Sequence, residues 1–352
     1  MRPLSRADRL KYALKFLAAE LMYRVGLLHV WKRVVLRRKA IVLTYHRVLS
    51  PEEMAESWSH PAIVVTPETF ERHMRVLSRA FKVLRLSEFQ AHLTTGARFE
   101  AGSCLVTFDD GWRETYDQAW PVLQRHSVPA TVFLPVRFIG SDDVFWQERL
   151  GELLYTAWQI ARRDAPSAAR VVEALGGSGL ESVVGFDEAT VKQDVLDLVR
   201  AKKTHDGWNP DAAIQRLQQL TGHPGTSSVD RFMTWDQVRE MSHDSVTFGA
   251  HGETHRMLTT LTESEVDREM VVSRQTLETM LETPIDAVSY PNGNCNAAIA
   301  EAAKRAGFAV GFSMNRGPVE SADERFLVRR VNIFEDVTNS EPMFLARVLG
   351  VF

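Results

Sequence analysis

Cysteine is scarce, with two in 352 residues, Cys104 and Cys295. They stand far apart and form no Cys-x-x-Cys pair, which excludes a disulfide scaffold and a cysteine-based zinc finger. No Asn-x-Ser/Thr sequon occurs. No apolar run reaches the ~20 residues of a spanning helix. Near the N-terminus Lys15, Glu20 and Arg24 interrupt what would have to be the ~7–15-residue apolar core of a signal peptide. There is no Gly-x-Ser-x-Gly elbow, which argues against an α/β serine hydrolase. Neither a Walker A loop nor Gly-x-Gly-x-x-Gly is present, so nucleotide chemistry lacks its phosphate cradle. Net charge is only −3, which speaks against a general nucleic-acid binder. The expectation is a cytoplasmic protein that handles neither nucleotides nor nucleic acid.

What is present begins with an uneven charge. Residues 1–39 hold eleven Lys or Arg against two acids, Asp8 and Glu20, a net +9 that leaves −12 for the rest. Within this head Leu10, Leu14, Leu17, Leu21, Val25 and Leu28 recur at steps of three and four, the period of an amphipathic helix. Two readings stay open. The helix lies on the cytoplasmic face of a membrane as a peripheral contact, or it packs its stripe on its own domain and leaves a solvated basic face. The positive excess stops near Ile41, and the head is expected to be an appendage outside the body that follows.

From residue 40 short apolar runs alternate with helical patterns. The runs are Ile41–Tyr45, Phe81–Leu86, Cys104–Phe108, Ala130–Leu134, Val246–Ala250, Ala287–Tyr290, Phe308–Ser313 and Phe326–Ile333. Helix starts are marked by Thr66-Pro67, by the capping box Thr262-x-x-Glu265 and by Asn296. This alternation predicts an α/β body with a largely parallel sheet or barrel over 40–139 and 231–352. Residues 140–230 read as helices without strands, a helical insertion.

Chemistry concentrates at the ends of the apolar runs. Thr107-Phe108-Asp109-Asp110-Gly111 puts two carboxylates where a buried strand ends, the place where (β/α) barrels carry catalytic groups. His251-Gly252-Glu253-Thr254-His255 supplies two histidines four apart, from one helix face or one tight loop. Asp110, His251 and His255 then make a two-histidine, one-carboxylate set with open positions, which suits Zn²⁺, with Co²⁺, Ni²⁺ or Fe²⁺ also compatible. Asp109 is left free as a general base towards water. In Ser289-Tyr290-Pro291-Asn292-Gly293 a backbone N–H, that of Asn292, can face an oxyanion. His46, after the first run, is a candidate general acid.

These motifs resemble the polysaccharide deacetylases, carbohydrate esterase family 4 or the NodB-homology group. Thr107–Gly111 matches that family's TFDDG motif, and Pro129-Ala130-Thr131-Val132-Phe133 continues the match. His251–His255 matches its His-[Ser/Thr]-x-x-His motif, with Gly252 at the Ser/Thr position. The resemblance implies a distorted (β/α) barrel of seven or eight strands. It implies Asp109 as base and Asp110, His251 and His255 as metal ligands. It also implies a metal-dependent hydrolase that removes N-acetyl groups from a polysaccharide, such as an exopolysaccharide, or from a lipid-linked glycan. The family's Arg-x-Pro-[Tyr/Phe] motif is altered, with Ser289 where the base-orienting Arg would stand. Arg329 or Arg330 on the last run is expected to replace it. The family's C-terminal Leu-x-His motif is absent. Tyr45-His46-Arg47 instead resembles the start of circularly permuted members, which implies His46 as the acid. Ser289 also motivates a rival, a catalytically weak glycan-binding pseudoenzyme, and an amidase or O-deacetylase acting on another acylated substrate is a third reading.

Overall fold

The protein is described from a computed structural model over residues 6–203 and 208–352; the first five residues of the basic head and 204–207 of the insertion lie outside the described residues. The chain divides into two compact units. One takes Arg9–Ser50, Pro61–Ser141 and Phe232–Phe352, and the other takes Pro51–His60 and Asp142–Arg231.

The first unit is built on eight parallel strands: β1 Ala40–Tyr45, β2 Lys82–Val83, β3 Ser103–Phe108, β4 Ala130–Leu134, β5 Val246–Ala250, β6 Ala287–Ser289, β7 Val310–Phe312 and β8 Val331–Asn332. Their order is β8-β1-β3-β4-β5-β6-β7, with β2 paired to the start of β3. Every residue of β1 and β3 is buried, as strands covered on both faces must be. The sheet curls, and the segment 325–333 spans its edges. Val328 bridges Phe312 of β7, and three residues on, β8 pairs with β1. This is the largely parallel α/β body that the alternation predicted, curled into the distorted (β/α) barrel that the resemblance implied.

Two apolar runs are shorter as strands than expected. Phe81–Leu86 yields only β2, because the Glu88 carboxylate accepts the Arg85 N–H at 2.7 Å and a helix starts at Leu86. Phe326–Ile333 is interrupted between the Val328 bridge and β8. The expected caps are in place. Thr66 accepts the Thr69 N–H, Thr262 and Glu265 close a capping box on the helix Glu263–Leu281, and Asn296 caps Ala297–Arg305.

The N-terminal head forms the helices Arg6–Arg24 and Leu27–Val35. Here the structure corrects one expectation and departs from one of the two open readings. The second helix is no appendage: Leu28 and Leu36 are fully buried, and the Leu36 carbonyl accepts the Gly102 N–H at 3.1 Å. The first helix does not turn its leucine stripe inward. Leu10, Leu14, Leu17, Leu21 and Val25 are exposed, while Ala19 is buried against Met343 and Ala346. Among the described residues no helix is long and apolar enough to cross a membrane.

The other unit is helical, with Pro51–Glu56, Trp146–Ala161, Ala165–Leu175, Val191–Lys203 and Asp211–Thr221 around a core that includes Leu150, Leu154, Val171, Val195 and Leu217. Phe145 is buried here, and Trp146 packs near Trp208 with ring centroids 5.7 Å apart, so both serve packing. The segment Pro51–His60, which no composition shift sets apart, is held to this unit by Asp230. That buried carboxylate accepts the Ser57 hydroxyl at 2.7 Å and the Trp58 N–H at 3.1 Å.

Candidate functional site

The parallel sheet brings the C-terminal ends of β1, β3, β5 and β6 together, and each end delivers one part of the site. From β3 come Asp109 and Asp110, both buried. From β5 comes His251, also buried, followed by a loop that carries His255. Of the two geometries left open for the histidine pair, the loop is the one observed. Asp110, His251 and His255 each present a ligand atom, and these atoms lie within 4.8 Å of one another. Asp110 Oδ1 stands 3.4 Å from His251 Nε2 and 3.2 Å from His255 Nε2.

The three residues fit a metal. His251 Nδ1 is 2.7 Å from the Ser289 carbonyl, the contact that fixes the imidazole tautomer and leaves Nε2 as a ligand. The Trp112 indole N–H donates to Asp110 Oδ2 at 3.0 Å, so the other oxygen, Oδ1, faces the histidines. Burial alone would push the Asp110 pKa up, but His255 and His251 outweigh it and hold this carboxyl well below the usual range. Burial alone would lower His251; Asp109 and Asp110 overcome it and raise its pKa. The cluster thus stabilises positive charge, which a divalent cation would supply.

The neighbouring acid is in a different environment. Arg330 NH1 donates to Asp109 Oδ1 and NH2 to Oδ2, each at 2.8 Å, and NH2 also donates to Ser289 Oγ at 2.8 Å. Ser289 Oγ donates in turn to Asp109 Oδ2 at 3.2 Å. A planar guanidinium gripping both oxygens fixes the carboxylate plane as well as its position. Burial raises the Asp109 pKa, but Arg330 and His251 more than offset this and hold Asp109 as a carboxylate. Of the two arginines named from the sequence, Arg330 is fully buried in this role, while Arg329 is exposed and donates to the Pro318 carbonyl. The arginine missing from Ser289 is therefore supplied from the other edge of the barrel.

His46 follows β1 directly and is half-buried, with its Nδ1 buried and unpartnered among the described residues. Burial lowers its pKa against the pull of Asp110 and Asp109, which places it within electrostatic reach of both acids. Asn292 lies in the turn after β6, in left-handed backbone (φ 58°), with an exposed side chain. Asp110 (φ 75°) and His255 (φ 59°) share that conformation. Three of the five described non-glycine residues with positive φ are therefore candidate site residues, as expected where packing holds strained backbone for function.

Two supports escaped the sequence reading. Glu269, buried on the helix Glu263–Leu281, accepts the backbone N–H groups of Glu253 (2.6 Å) and Thr254 (2.9 Å) and the Thr254 hydroxyl. It clamps the loop between the histidines. Gly252 belongs to the same arrangement. Its φ is +80°, and a Cβ there would lie 2.8 Å from Glu269 Oε2, so the family's Ser/Thr gives way to glycine. The signal available was an acid among the apolar positions Val266, Met270 and Leu277. The second support is Trp112. Its ring lies under the Arg47 guanidinium at 4.0 Å, and Arg47 Nε donates to Glu114 at 2.5 Å.

Fold and site define a parallel (β/α) barrel with a candidate metal centre and a separately held carboxylate at its strand ends. The family model of the polysaccharide deacetylases matches residues 97–164 and 212–311 of the chain. Among curated relatives, a poly-β-1,6-N-acetyl-D-glucosamine N-deacetylase of Staphylococcus epidermidis is 32% identical over 115 residues, 30% of this chain and 39% of that protein. The matched part of the chain spans less than half the length of the curated relatives, between 39% and 46% for three of them. Two solved structures share the fold. The Streptococcus pyogenes deacetylase PplD, in complex with acetate, has a TM-score of 0.56 at 18% identity over 88% of this chain and 98% of that one. IcaB from Ammonifex degensii has 0.55 at 16% identity, over 89% and 97%.

Proposed function

We propose that this protein is a metal-dependent hydrolase that removes N-acetyl groups from amino sugars of a polysaccharide or a lipid-linked glycan precursor. The observation that carries the reading is the bidentate Arg330–Asp109 pair beside the Asp110, His251 and His255 cluster. It separates a proton acceptor from a ligand set in adjacent residues. The pseudoenzyme reading rested on Ser289 standing in for arginine, and Arg330 removes that ground.

Asp110, His251 and His255 would hold the ion, with Zn²⁺ as the best match for two imidazoles and a carboxylate. When bound, the ion supplies Lewis-acid polarisation and makes water more acidic. Asp109 accepts the proton of the attacking water, and its orientation is kept by Arg330 and Ser289. The Asn292 N–H is assigned to the developing oxyanion. His46 passes a proton to the departing amine. Its burial disfavours a resting charge, so uptake of that proton is coupled to the nearby carboxylates.

The Staphylococcus relatives named for poly-β-1,6-N-acetyl-D-glucosamine make β-1,6-linked N-acetylglucosamine oligomers the first substrate to try. Acetate release is expected from the zinc-loaded protein, with loss on chelation and recovery on zinc addition. Asp109→Asn should lower turnover about 10²–10⁴-fold and keep the bound metal. Hydrolysis of small acylated compounds, with no release from any N-acetylated glycan, would overturn the glycan reading in favour of an amidase or O-deacetylase.

A further inference from the structure

The leucine stripe of the first helix takes no part in the barrel or its site. Leu10, Leu14, Leu17, Leu21 and Val25 are 58–67% exposed. At roughly 100° per residue they fall in one sector about 80° wide. The opposite face is the docked one. Ala19 packs on Met343 and Ala346, the Tyr23 hydroxyl donates to Glu341 at 2.9 Å, and the Tyr12 hydroxyl meets the Asn339 amide. The helix is therefore mounted with small and polar groups inward and large aliphatic groups outward, the reverse of a surface helix that serves its own core. The next helix also exposes Val30, Trp31 and Val34, each 43–62%.

Charge says what covers this patch. Between residues 10 and 39 the one acid is Glu20, and it is paired with Arg24 at 2.7 Å. Lys11, Arg33, Arg37 and Arg38 are exposed, and no carboxylate pairs with them among the described residues. A second copy of the chain would bring like charges together across a two-fold contact. A surface that is apolar inside and anionic at its rim satisfies both features. We propose that residues 10–39 dock on an anionic lipid bilayer, with the Leu10–Val25 stripe at the headgroup–acyl boundary and Lys11, Arg33, Arg37 and Arg38 on the headgroups. Trp31 is suited to that boundary. This proposal rests on the patch alone and stands apart from the deacetylase reading.

The test is flotation of the full chain with vesicles of phosphatidylglycerol and phosphatidylethanolamine, and with phosphatidylcholine vesicles as the neutral arm. Binding to the anionic vesicles at low salt is expected, weakening as salt rises, with little binding to the neutral ones. Leu17→Glu with Leu21→Glu should abolish flotation without changing the circular dichroism spectrum, because both positions are exposed. Arg37→Glu with Arg38→Glu should weaken binding about tenfold or more. Absence of flotation at low salt would overturn the proposal, as would flotation unaffected by the leucine changes. So would a dimer in sedimentation velocity that Leu17→Glu with Leu21→Glu dissolves while vesicles go unbound.

Discussion

Asp109 and Asp110 are adjacent, equally buried and chemically identical, yet their surroundings give them different work. Asp110 faces two imidazoles and an indole N–H, whereas Asp109 faces a guanidinium and a hydroxyl. Adjacent residues at a strand end point in different directions, so one dipeptide can serve two centres. The role of Arg330 can be tested apart from its structural value. Arg330→Lys keeps the charge but loses the two-pronged grip, and a small misplacement of the base is enough to cost about 10²-fold in kcat. Steady-state kinetics should show that fall with KM nearly unchanged and the metal content intact. A rise in KM alone would assign Arg330 to substrate binding. His46, Asp109, Asp110, His251 and His255 were all legible because each sits in a short motif at the end of an apolar run. Arg330 was legible only as one of a pair, since its choice over Arg329 depends on which side of the segment 325–333 faces the barrel interior.

Among the elements, the loop between His251 and His255 is held from outside by the helix Glu263–Leu281. Glu269→Gln keeps the shape of the side chain but removes the charge that collects two backbone N–H groups and a hydroxyl. Metal affinity, measured by titration with a competing chelator, should weaken about 10–100-fold, the scale of supporting-residue losses at metal sites. A second tie joins the helix Pro67–Ala80 to β1 and the C-terminal region. His73 Nε2 donates to the Thr338 carbonyl at 2.7 Å, its Nδ1 is 3.2 Å from the Tyr45 hydroxyl, and its ring stacks on Phe344. Burial lowers its pKa from 6.5 to about 3. The unfolded chain therefore binds a proton that the folded chain refuses between these values. Stability from this group is complete above the unfolded pKa and falls as pH drops through about 6, by roughly 1.4 kcal/mol per unit. Denaturant midpoints measured across the acid range should show that slope, and His73→Gln should reduce it.

At the scale of the whole molecule, the N-terminal head belongs partly to the barrel unit. Its second helix buries Leu28, and Leu36 follows it into the core, each worth about 1.5–3 kcal/mol. A chain beginning at residue 40 should melt several degrees lower than the full chain in a thermal scan. A chain that lacks only the exposed leucines should melt within a degree or two of the original. The amphipathic period of residues 10–28 was plain in the sequence, but a period specifies a face and leaves open what that face meets.

The sequence by itself determined the alternation of buried strands and capped helices and the residue types at the strand ends. Those features are local: strand burial, turn chemistry and helix caps are decided within a few residues of one another. The tertiary structure decided the partners. Arg330 reaches Asp109 across 221 positions, Glu269 meets Thr254 from a separate helix, and the leucine stripe is turned away from the body that Ala19 touches. Each depends on how elements far apart in the chain are registered and packed, and pairing across such distances leaves no spacing to read.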